Sequence, residues 1–104
     1  MRRLLALSPL MFLVLTNLAN AAEFSNKTVS NIQSPDSRPC VFFTLSSISE
    51  ADPAKRNSPW FSVSTEKKET ISFLLTARIS EKEISVYTTG KLACGHAEVN
   101  YIQL

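Results

Sequence analysis

Leu4 to Leu18 is almost wholly apolar, interrupted only by Ser8, Thr16 and Asn17. Arg2 and Arg3 precede it, and Ala19-Asn20-Ala21-Ala22 follows. That order of basic, apolar and small residues is the pattern of a secretory signal peptide. The run is about fifteen residues, short of the ~20 that a spanning helix needs. We expect a signal peptide over residues 1–21, cut after Ala21, with Ala22 as the rival position. No Cys follows the small residues, so a lipid anchor is not expected. Residues 22–104 are then left to build one small domain outside the cytoplasm, in the periplasm or beyond the cell.

A core of that size is marginal, and small exported domains often add a covalent staple. Cys40 and Cys94 are the only cysteines. In an oxidising compartment they are expected to pair. Their distance in sequence and the single histidine make a poor zinc site, and there is no Cys-x-x-Cys spacing for redox chemistry. No metal or cofactor is expected.

Charge gives no sign of a nucleic-acid partner. The chain has 11 Lys and Arg against 9 Asp and Glu, but Arg2 and Arg3 lie in the signal. The rest carries nine of each, without the basic excess that binding to nucleic acid favours.

Residues 22–27 read as a polar leader. Thr28 to Gln33 is a weak strand, followed by the turn formers Ser34-Pro35-Asp36-Ser37-Arg38-Pro39. Cys40 to Ser46 is rich in β-branched and aromatic residues, with Val41, Phe43 and Leu45 set to face the core. Ser47 to Pro59 reads as a polar loop, and Trp60-Phe61-Ser62-Val63 as a third strand. Ser64-Thr65-Glu66 suits a helix start. Ile71, Leu74, Leu75 and Ile79 then fall on one helical face, widened by Phe73 and Ala77. The helix is expected over about 66–79. Ile84 to Thr89 alternates as a strand, Gly90 to Gly95 reads as a loop, and Glu98 to Leu104 as a last strand.

The order is β-β-β-α-β-β. Five short strands and one helix suit a mainly β fold, a five-stranded OB-like Greek-key barrel. The alternative is an open sheet with the helix across one face.

Signals for catalysis are sparse. His96 stands in Cys94-Gly95-His96, and Asp36, Glu50 and Asp52 lie in polar loops. No nucleophile, base and orienter can be placed together, so a non-enzymatic role is expected. Aromatic residues are the stronger clue, since an aromatic face with a few polar tips suits sugars. Trp60, beside the long loop, is a candidate platform; its other reading is a core residue. Asp36, Ser37 and Arg38 complete the candidate ligand-binding surface.

Further features carry a resemblance. They are the tryptophan-led strand, Ile71-Ser72-Phe73-Leu74-Leu75-Thr76-Ala77, Ile84-Ser85-Val86-Tyr87-Thr88-Thr89-Gly90, and Cys94-Gly95-His96-Ala97-Glu98-Val99-Asn100-Tyr101-Ile102. Pro39-Cys40-Val41-Phe42 adds the cysteine-bearing second strand. This pattern resembles small exported bacterial proteins akin to the B subunits of subtilase cytotoxin and typhoid toxin. The resemblance implies an OB-type fold, export and, in some members, a ring of five subunits that binds cell-surface glycans. None of that family's sugar-contacting residues is matched to a position here. The competing expectation is a periplasmic or secreted domain that binds or inhibits another protein.

Overall fold

The computed structural model describes residues 21–51 and 58–104. The signal-peptide reading and the middle of the 47–59 loop lie outside the described residues.

Among the described residues the protein is mainly β, with one helix and a six-stranded mixed sheet. In chain order the elements are β1 (Glu23–Lys27), β2 (Val29–Gln33), β3 (Cys40–Leu45), β4 (Trp60–Ser64), α1 (Lys68–Ser80), β5 (Ile84–Ala93) and β6 (His96–Gln103). The sheet order is β1-β5-β6-β4-β3-β2. All neighbours are antiparallel except β4 and β6, which run parallel with Phe61 opposite Ala97.

Six strands replace the five expected, because the stretch taken as a polar leader is β1. Its sequence offers only Phe24 as a large apolar residue, too little for a pattern. Pairing supplies what the pattern lacks. Glu23 and Phe24 sit opposite Tyr87 and Val86, and the Phe24 ring packs edge-on against Phe61 at 5.1 Å. Asn26 takes a φ of 56°, a left-handed conformation that Asn tolerates better than most residues. After that kink and Thr28 the chain leaves β5 and pairs with β3 as β2. The two outermost strands of the sheet are thus neighbours in sequence.

Every residue of β3 is buried. Phe43 and Leu45 enter the core, as alternation predicts. Phe42, on the opposite face, is covered by the His96 ring at 4.6 Å. Phe43 stacks on Phe61 across the β3–β4 pair at 5.1 Å. Val63, Leu74, Ile84, Val86 and Val99 complete the centre of the core.

The helix starts at Lys68, two residues later than expected. No side chain caps it; the Ser64 hydroxyl instead accepts from the Glu66 amide at 3.2 Å. Its buried stripe is Leu74 and Ala77, with Ile71 packed at the edge. Leu75 and Ile79, expected on the core side, are 47% and 82% exposed, and Phe73 also faces outward. The rest of the core offers the helix a narrow contact, so one flank of the apolar stripe is left uncovered. Glu81 ends the helix in the left-handed conformation, its amide returning to the Ala77 carbonyl.

The six-residue loop expected from Gly90 to Gly95 is a two-residue turn. β5 runs on to Ala93, which pairs with His96, and Cys94 and Gly95 take φ values of 51° and 83°. Two consecutive positive φ angles suit the right-handed twist of the flanking strands. Cys40 and Cys94 form the expected disulfide, with Cα atoms 6.6 Å apart.

Candidate functional site

The sequence-predicted ligand residues fall into two separate places. Asp36, Ser37 and Arg38 are exposed in the turn between β2 and β3. The Arg38 guanidinium donates to the Cys94 carbonyl at 2.9 Å and lies 6.0 Å from the centre of the Phe42 ring. Trp60 is half-buried at the start of β4, opposite Thr44. Thr44 is four residues along β3 from Cys40, about 13 Å of strand. The structure therefore does not bring Trp60 to the 36–38 turn.

His96, read from sequence as part of a loop, is the first residue of β6 and half-buried. Its Nδ1 lies 3.4 Å from the Ser58 hydroxyl. Asp36 and Glu50 are exposed, and Asp52 lies outside the described residues. No group of three or more potential metal ligands occurs among the described residues. No pocket opens among them either.

One surface was not legible in the sequence. β5 and β6 place Tyr87 opposite Tyr101, and their rings stack with centroids 4.4 Å apart and planes 14° from parallel. Tyr101 is 50% exposed; Tyr87 is half-buried. The alternation of β5 explains the placing of Tyr87: Ile84, Val86 and Thr88 turn inward, so Ser85, Tyr87 and Thr89 turn outward. Tyr101 gains the same face only because the register slips between Tyr87 and Thr88. Counting alternately on from the buried Val99 would have put Tyr101 inside, and only the irregularity at Asn100 turns it out.

Polar groups ring the pair. The Tyr87 hydroxyl donates to Glu23 Oε2 at 3.1 Å and lies 3.4 Å from Gln103 Oε1. The Ser25 hydroxyl also donates to Glu23 Oε2, at 2.8 Å. Farther along the strands, the Thr89 hydroxyl donates to Glu98 Oε1 at 2.8 Å. The Tyr87 hydroxyl ionises above its ordinary value of 10.0, first because it is hydrogen-bonded to Glu23. Loss of solvent and the negative charges of Glu23 and ionised Tyr101 act in the same direction. The arrangement is a flat aromatic patch with acceptor oxygens at its rim, suited to hold a ligand that offers C–H faces and donors.

No protein-family model, no curated protein and no solved structure matches the chain.

Proposed function

We propose that the chain is an exported, non-enzymatic binding module that recognises glycans through the face around Tyr87 and Tyr101. The observation that carries the reading is the exposed, parallel tyrosine stack rimmed by Glu23 and Gln103. A pyranose ring packs its C–H face on an aromatic ring, and its hydroxyls take up nearby polar groups, the division of labour that aromatic bodies and polar tips provide. The lack of a pocket among the described residues fits such shallow binding. The disulfide fits an oxidising compartment.

The sheet order supports an OB-like barrel within the same reading. If β1 and β2 are the two halves of one bent strand, the chain has five strands. That strand then pairs at one end with β5 and at the other with β3. The helix between β4 and β5 falls where such a barrel carries one. The fold alone does not specify a ligand; the glycan reading is supported by the tyrosine face. Glycan-binding subunits of the toxin type gain avidity by assembling in rings, and a homo-pentamer is the assembly this reading allows.

The test is a glycan array probed with the oxidised protein and with Tyr101→Ala. Selective binding by the wild type, lost in the variant, is expected. Absence of binding to every sugar at high protein concentration would sink the proposal.

A second reading has its own observation. Leu75 and Ile79 stand exposed one turn apart on α1, which favours contact with another protein. Pull-down from periplasm or culture medium, compared with Ile79→Ser, separates the two: a partner lost in Ile79→Ser but kept in Tyr101→Ala would favour the protein-interaction reading.

A further inference from the structure

Resting on the glycan reading, we infer that the Tyr87–Tyr101 face takes uncharged saccharides and discriminates against acidic ones. The chemistry of the rim decides this. An ionised carboxylate only accepts hydrogen bonds, so it matches a hydroxyl and opposes another carboxylate. Glu23 Oε2 is occupied by the Tyr87 and Ser25 hydroxyls, while its second oxygen has no partner among the described residues. Glu98 repeats the arrangement farther along the strands, beside Thr89. One of its oxygens accepts from Thr89, and the other has no partner among the described residues. Gln103 presents its carbonyl oxygen toward Tyr87 at 3.4 Å.

Lysines lie near this face as well. Lys67 reaches β6, where its ammonium donates to the Val99 carbonyl at 3.5 Å; Lys27 ends β1; Lys91 lies beyond Thr89 on β5, its amide donating to the Thr89 hydroxyl at 3.1 Å. The charged group that touches the stack itself is the Glu23 carboxylate. A neutral sugar lying on Tyr101 can donate to the free carboxylate oxygens. A uronic acid in the same pose sets a like charge against them. At the separation of direct neighbours near a solvated surface, that repulsion is worth about fivefold in affinity or more.

The experiment titrates the oxidised protein with chitotriose, cellotriose, maltotriose and galactotriose, and with trigalacturonate and triglucuronate, at low salt. Binding is read by calorimetry and by chemical shifts of residues around Tyr101. At least one neutral trisaccharide is expected to bind, and both uronates to bind at least about fivefold more weakly. Raised salt and the Glu23→Gln/Glu98→Gln variant are each expected to narrow the gap, salt because it screens exposed charges. A uronate that binds as tightly as the best neutral sugar overturns the selectivity but leaves glycan binding standing. So does a gap that the double variant leaves unchanged. Binding of none of the six overturns the selectivity and the glycan reading together.

Discussion

Arg38 donates to the carbonyl of Cys94 at 2.9 Å, two residues before Cys40 forms its disulfide with the same Cys94. The turn that leads into β3 and the tip of the β5–β6 hairpin are thus joined twice, once covalently and once by a hydrogen bond. The covalent link closes 54 residues of chain. In the loop-entropy model that constraint on the unfolded state is worth ~4 kcal/mol. Cys40→Ser/Cys94→Ser should lower the unfolding free energy by about that much in denaturant titrations. Arg38→Ala should cost less than about 1 kcal/mol, since the hydrogen bond is exposed. A disulfide-free variant as stable as the parent would show that the bridge adds nothing to the fold.

The two sides of α1 should respond differently to truncation. Leu74 is fully buried against the sheet, whereas Ile79 stands almost wholly in solvent. Leu74→Ala removes buried methyl groups and leaves a cavity, and should cost about 2–5 kcal/mol. Ile79→Ala should change stability by less than about 0.5 kcal/mol. Thermal or denaturant unfolding of the two variants measures both, and equal losses would mean the helix packs by a different face.

Ser62 is buried in the middle of β4, and its hydroxyl has no hydrogen-bond partner among the described residues. A buried, unsatisfied hydroxyl costs stability. Ser62→Ala removes the hydroxyl and little volume, so it should raise the unfolding free energy by about 1 kcal/mol. A clear destabilisation would reveal that the hydroxyl is engaged after all.

Alkaline pH should weaken the fold through Tyr87. Its ionisation is raised above 10.0, chiefly by its hydrogen bond to Glu23. A raised native value means that the native state favours the neutral hydroxyl. The stabilising contribution is therefore complete below pH 10.0 and fades as pH climbs through the higher native value. Titration of tyrosinate absorbance, with Tyr101→Phe to isolate the signal, should show Tyr87 ionising above pH 10.0. Glu23→Gln should lower that value. A Tyr87 that ionises at the same pH with and without Glu23 would refute the assigned cause.

Much of the sheet could be read from local chemistry. β3 and the first half of β5 declared themselves through β-branched and alternating residues, and the disulfide through compartment and count. The parts that escaped depend on partners distant in sequence. β1 has one large apolar residue, and its strand conformation comes from β5, some sixty residues away. Leu75 and Ile79 obey helical spacing, but spacing cannot say how wide a strip the core will cover. The 94–95 turn places a cysteine at a position that usually calls for Asn or Gly, and the disulfide holds it there. Glu81 similarly occupies the left-handed helix exit where glycine is the common choice. The candidate site was hidden for a related reason. Trp60 is a candidate through its place beside the long loop, while Tyr87 and Tyr101 meet only through pairing and an irregularity that no short motif announces.

Thr28 stands alone between β1 and β2, and those strands form the two margins of the sheet. A single proteolytic nick there would separate both margins from each other in one event. If the chain is also cut after Ala21, β1 would remain as a short, weakly apolar peptide held to β5, free to dissociate. Its loss would bare the backbone of β5, a ready template for pairing with another chain. The susceptibility of this protein to self-association should therefore be governed by the integrity of one peptide link near residue 28.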